Sequence, residues 1–101
     1  MKLVCGPHET LDTLNASKGI TAAILKPTSG SFIGKKCELA IIQPKAQAVY
    51  VMLDGTAATS AHLALAVGDI LKIEGYENCQ NFRVLEATAS ATLLVIPFYS
   101  V

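Results

Sequence analysis

Turn-forming residues cut this chain into short pieces at close, regular intervals, and that punctuation limits the fold more than any other feature. Breakers fall at Gly6-Pro7, Asn15 to Gly19, Pro27 to Gly30, Gly34, Pro44, Asp54-Gly55, Gly68-Asp69, Gly75, Asn78 to Asn81 and Pro97. The pieces between them run mostly about 5–9 residues, which is strand length and too short for ordinary helices. Their content agrees: Val, Ile and Thr account for 23 of the 101 residues, and β-branched side chains favour a pleated, half-buried surface. The pattern predicts an all-β fold, a single domain over residues 1–101. It is a small β-sandwich or jelly-roll-like barrel of about seven or eight short antiparallel strands.

The later strands are the clearest. Gln47 to Leu53 is apolar on both faces and runs into Asp54-Gly55, a strong turn signal. In Asp69 to Glu74, Leu71 and Ile73 point one way while Lys72 and Glu74 point the other. In Asn81 to Glu86, Phe82 and Val84 share a face opposite Arg83. Ala91 to Ile96 has no polar face at all, so its own domain or a neighbouring chain must cover both sides. In the first half, Ile20 to Lys26, ended by Pro27, and Cys37 to Ile42 read as strands, with Thr10 to Leu14 a further candidate. Ala61 to Val67 reads as a short strand or irregular segment, cut off by Gly68. Residues 1–14 lack internal patterning and read as an extended N-terminal arm.

Charge is sparse. Asp, Glu, Lys and Arg make up 16% of the chain and cancel to zero net charge, against 51% apolar residues; a typical soluble domain carries about 25% charged residues. With a single Arg, Arg83, nothing is built to neutralise a phosphate backbone, so no nucleic-acid partner is expected. No apolar run approaches the roughly 18–20 residues of a membrane-spanning helix, so no membrane partner is expected either. The apolar stretch at Leu3 to Cys5 is broken by Gly6-Pro7 and falls short of the roughly 7–15 residues a secretory signal needs; production in the cytosol is expected. Three cysteines, Cys5, Cys37 and Cys79, give an odd count without a pairing pattern and read as thiols acting as small apolar residues.

Each possible reactive group has a plainer reading. Cys5 and His8 have a spacing zinc could use, but a structural site wants a second close pair; Cys37 and Cys79 stand alone in the sequence and His62 is far from both. Gly30 to Lys36 superficially resembles a phosphate loop, yet three residues instead of four separate its glycines and Lys36 holds the hydroxyl position. It reads as a turn with solvated lysines. His8 and His62 lack a nearby nucleophile with an orienting carboxylate, and Asp54 and Asp69 sit beside glycines as turn formers do. Phe32, Tyr50, Tyr76, Phe82, Phe98 and Tyr99 are the aromatics available for a stacking platform, and without Trp they suit core packing better. The expectation is no catalytic residue, no metal site and no cofactor.

The second half carries a resemblance. From Gln47 onward a two-faced strand, Val49-Tyr50-Val51, leads into Asp54-Gly55-Thr56-Ala57-Ala58-Thr59-Ser60. Then come Val67-Gly68-Asp69, Gly75-Tyr76-Glu77-Asn78, Asn81-Phe82-Arg83-Val84, and a closing Ala91-Thr92-Leu93-Leu94-Val95 with Phe98-Tyr99. In order and spacing this resembles a family of small virion-associated proteins encoded beside structural genes in tailed bacteriophages and prophages. The family often has Pro in the Asp-Gly-Thr turn, where this chain has Ala57-Ala58. The likeness covers residues 47–101. It implies a non-enzymatic virion component: a capsid decoration or cement protein, or a head accessory, assembled in the host cytoplasm. The expected partners are the major capsid protein or other virion proteins and further copies of itself, a trimer by preference.

Sparse charge and excess apolar content suit wide, permanent interfaces. The contact regions expected are Leu3, Val4, Leu11 and Leu14 at the N-terminus, and Leu94, Ile96, Phe98 and Tyr99 in the last strand. Two rivals stand beside this reading. A tail or head–tail accessory module with a receptor- or glycan-binding role predicts a groove lined by Tyr50, Tyr76 or Tyr99; a small cupin-like enzyme would need more histidines than His8 and His62.

Overall fold

A computed structural model describes residues 2–60 and 63–101. It is all-β: eight strands in two antiparallel sheets packed face to face, with two short helical turns. The strands are β1 (Leu3–Cys5), β2 (Glu9–Leu11), β3 (Cys37–Pro44), β4 (Val49–Met52), β5 (Leu63–Leu65), β6 (Leu71–Glu74), β7 (Arg83–Glu86) and β8 (Leu93–Ser100). The helical turns are α1 (Ala22–Leu25) and α2 (Tyr76–Asn81). The larger sheet runs β1-β8-β3-β6, with β2 also pairing with β8; the smaller runs β5-β4-β7. The two sheets form a sandwich and do not close into a barrel.

Alternation along the strands builds the core. Leu93, Val95, Pro97 and Tyr99 of β8 point inward, with Ala40 and Ile42 of β3 and Ile73 of β6 beside them. Facing them are Val49 and Val51 of β4, Leu65 of β5 and Val84 of β7. Leu14, Ile20 and Phe82, from the connections, close the ends. Each such side chain contributes about 1.5–3 kcal/mol when fully buried. Among the described residues no buried residue is polar or charged. The strand read as apolar on both faces, β4, alternates: Val49 and Val51 are buried while Tyr50 and Met52 are half-buried.

The N-terminal segment lies along the edge of the larger sheet, where the sequence suggests an extended arm. Leu3 pairs with Ser100 and Leu11 with Leu93, and the register slips by one residue at Gly6 to His8. That slip explains how β8 continues past Pro97 to Ser100, whereas the sequence stops it at Ile96. A proline in a central strand removes a ladder donor. Here the Gly6 N–H donates to the Pro97 carbonyl (2.9 Å), so the missing donor falls on the side where β1 gives way to the Gly6-Pro7-His8 break.

Two other expectations need correction. Ile20 to Lys26 is not a strand; only Ile20 enters the core, and Ala22 to Leu25 form α1. Asn78 to Asn81 do not break the chain but belong to α2. In both cases a carboxylate from another element holds the first turn. Glu9 accepts from the Thr21 N–H (3.3 Å) and Thr21 Oγ1 (2.5 Å). Glu38 accepts from the Tyr76 N–H through Oε1 (3.1 Å) and from the Gly75 N–H through its carbonyl (2.7 Å).

Candidate functional site

Residues paired across an antiparallel ladder point to the same face. On the outer face of the larger sheet, Leu39 therefore stands beside Phe98, Ile41 beside Ile96 and Gln43 beside Leu94. Cys5 flanks Phe98 on the other side, and Leu3, 39% exposed, stands beside Ser100. Lys72 and Glu74 of β6 border the opposite flank, paired through a 3.4 Å contact. Leu39, Ile41, Leu94, Ile96 and Phe98 are each half-buried. An antiparallel sheet with one face on a core normally turns polar residues outward. This one turns a stripe of five large apolar side chains outward, with charge only at its β6 border.

The expected contact residues divide along this geometry. Leu94, Ile96 and Phe98 lie on the outer face, with Leu3 at its edge. Val4 pairs with Tyr99 and faces the opposite way, half-buried. Leu11, Leu14 and Tyr99 lie in the interior of the chain, at 5%, 0% and 0% exposure. The sequence shows Leu93 to Tyr99 as uniformly apolar, so it gives no phase for the alternation. The structure also displays large apolar residues that the sequence reading did not single out. Val67 and Ile70 flank the Gly68-Asp69 turn at 53% and 67% exposure, and Ile33 is 61% exposed. The only signal for them was an aliphatic residue set directly against a turn.

The other candidates do not assemble a reactive centre. Cys5 Sγ lies 3.7 Å from His8 Nε2, both exposed; Cys37 and Cys79 are buried elsewhere. Among the described residues no three His, Cys, Asp or Glu side chains gather as metal ligands. His62 lies outside the described residues. The Gly30 to Lys36 loop leads into β3, and Lys36 Nζ sits 5.2 Å from the Tyr76 ring centroid. The carboxylates of Asp54 and Asp69 tie their own turns, accepting from Thr56 (N at 3.0 Å, Oγ1 at 2.6 Å) and from the Ala66 N–H (2.9 Å).

The aromatics scatter. Phe82 is in the core, Tyr50 is on the outer face of the smaller sheet, Tyr76 is on α2 and Phe98 is on the larger sheet. Phe32 stacks on Tyr99 with centroids 4.7 Å apart. This pair lines a cleft of about 230 Å³ between α1 and the loop from Pro27 to Phe32, walled by Pro7 and Ile24. Tyr99 is committed inside, its hydroxyl donating to the Ile24 carbonyl. Burial first, then the neighbouring Cys37, Glu9 and Cys5, push its phenol up to about 12.

Comparison with family models, with curated proteins and with solved structures finds no match. No helix among the described residues is long and apolar enough to cross a membrane.

Proposed function

We propose that this protein is a non-enzymatic structural component of a tailed-bacteriophage virion, a capsid decoration or cement protein that acts through oligomeric protein–protein contacts. The observation that carries the proposal is the outward stripe of Leu39, Ile41, Leu94, Ile96 and Phe98 on a sheet whose other face already holds the core. Covering such a face removes apolar area from water at about 25 cal/mol per Å². The cover would come from further copies of the chain, from the major capsid protein, or from both. Many such contacts acting together resist pressure better than any one of them. The sparse charge, 16% of residues, accords with permanent interfaces, which are more apolar than transient ones.

A tail or head–tail accessory with a glycan-binding role is the weaker reading: of Tyr50, Tyr76 and Tyr99 the cleft is lined by Tyr99 alone, and the Tyr99 hydroxyl is already given to the Ile24 carbonyl. The test is twofold. Light scattering on the purified protein should give a mass several times that of one chain. Mass spectrometry of purified particles from the phage or prophage encoding it should find it at stoichiometric abundance, and imaging should place it on the head. A monomer that binds no shell would overturn the proposal.

A further inference from the structure

The strand that ends the larger sheet is open on its outer side. β6 pairs with β3 and with no other strand among the described residues. The Gly75 N–H donates to the Glu38 carbonyl (2.7 Å), one place beyond the pairing of Leu39 with Glu74. Hydrogen-bonded pairs alternate along an antiparallel ladder. Leu71, Ile73 and Gly75 therefore turn their backbone groups toward β3, and Lys72 and Glu74 turn theirs outward. α2 folds back against β3 and reaches this edge through Asn78, whose Nδ2 donates to the Glu74 carbonyl (2.8 Å). The Lys72 N–H and carbonyl and the Glu74 N–H have no partner among the described residues. The side chains of Lys72 and Glu74 are 58% and 74% exposed, and Ile70, just before β6, is 67% exposed. An open edge of this kind is a template for another strand.

We propose that β6 pairs with β6 of a second copy of this chain, antiparallel about a two-fold axis at Ile73, so that the two larger sheets run on as one. The inference rests on the proposed reading that the outward stripe is covered in an assembly, and it states how two copies stand in that assembly.

Charge selects the register. Residues opposite each other in a ladder share a face, so a two-fold pairing must centre on a residue. A centre at Lys72 or at Glu74 sets like charges directly opposite, which is destabilising. A centre at Leu71 runs the second strand into the turn at Gly68, whose φ is 90°. A centre at Ile73 places Lys72 opposite Glu74 of the second copy and Glu74 opposite its Lys72, so the charges alternate in sign across the seam. It also makes hydrogen-bonded pairs of the two residues whose backbone groups turn outward, as the phase of β6 requires. Beyond the ladder, Ile70 falls at the start of the other copy's α2, where an exposed aliphatic gains a neighbour. The two stripes then lie on one face of the joined sheet, and whatever covers them meets both at once. A ladder of four residues does not by itself offset the cost of association. The covered stripe supplies the affinity, and the edge sets the register.

The test starts from Cys5→Ser, which removes the exposed thiol. Lys72→Cys and Glu74→Cys are added to it singly, and the two proteins are mixed in equal amounts, treated with oxidised glutathione and run without reductant. The mixture should give at least about five-fold more linked pairs than either variant alone. Across this ladder only position 72 of one copy and position 74 of the other bring Cα atoms within the roughly 4.4–6.8 Å that a disulfide spans. Light scattering gives a second reading. Lys72→Glu sets Glu opposite Glu and should roughly halve the mass of the assembly. Adding Glu74→Lys restores opposite charges and should restore the mass, which a misfolded variant cannot do. The mass of Cys5→Ser itself separates the two readings. If it is a single chain, the stripe reading fails and the edge pairing with it. If it is an oligomer, the edge pairing alone is overturned by a mixture that links no better than either variant, by an unchanged mass for Lys72→Glu, or by a charge reversal that restores nothing.

Discussion

Tyr99 is where single side chains decide most in this molecule. Its ring is fully buried, stacked on Phe32, and pressed against the backbone at Gly6. A Cβ added to Gly6 would come within 2.8 Å of Tyr99 Cδ2 and closer still to Cε2. The ring cannot retreat from it without breaking the stack. Gly6→Ala should therefore destabilise by about 1–3 kcal/mol, read as a lower urea midpoint with an unchanged slope. The hydroxyl gives a second, pH-dependent prediction. The folded phenol holds its proton up to about pH 12, whereas in the unfolded chain it ionises near its ordinary value of about 10. Between those values the unfolded state binds fewer protons than the folded state, so stability falls as pH rises. The contribution is complete below about pH 10 and is lost toward pH 12. Tyr99→Phe should lose about 1 kcal/mol at neutral pH with the bond to the Ile24 carbonyl. It should also show a flatter stability curve across the alkaline window. Wild-type and variant curves that run parallel from pH 9 to 12 would refute this assignment.

At the scale of elements, what the sequence reveals and what it hides separate cleanly. β6 and β7 are legible because their polar and apolar residues alternate: Lys72 and Glu74 against Ile73, Arg83 against Val84. β8 is legible as a strand, but not in its phase or length. Every residue from Leu93 to Phe98 is apolar, and the gap that accommodates Pro97 lies on a different strand. α1 and α2 are hidden for another reason. Neither has a side-chain cap at its own N-terminus; the capping carboxylates, Glu9 and Glu38, come from 12 and 38 residues away. Local capping rules look within about three residues. These distant caps make a prediction. Glu38→Ala removes the acceptor for the Tyr76 N–H and should cost about 1 kcal/mol, the scale of losing an N-cap. The loss should be local, so amide exchange should quicken in Tyr76 to Asn81 while β3 and β8 stay protected. Uniformly faster exchange across the sandwich would mean that Glu38 supports the whole fold and not one turn.

For the whole molecule the question is how a sandwich with a complete core can also carry a second apolar face. The inward side chains of β3, β6 and β8 are already matched by β4, β5 and β7, so the outward stripe contributes little to the fold of the isolated chain. Stability and assembly are therefore separable at Ile96, which stands between Ile41 and the β1–β2 break. Ile96→Glu places a carboxylate on a half-exposed surface of the free chain, where it remains hydrated and costs at most about 1 kcal/mol of stability, chiefly through lost packing against Ile41. In an assembly that covers the stripe, the same carboxylate would be stripped of water without a cationic partner, because Lys72 is already engaged by Glu74 at the sheet border. An unpaired buried charge costs several kcal/mol per contact, and a symmetric assembly repeats that cost at every copy. Ile96→Glu should thus melt within a few degrees of wild type yet sediment as a single chain and fail to load onto particles. A matched change outside the stripe, Ile33→Glu, alters an even more exposed aliphatic residue and should leave both properties intact. If Ile96→Glu assembles as wild type does while Ile33→Glu falls apart, the loop ending at Gly34, and not the sheet face, is the surface that binds.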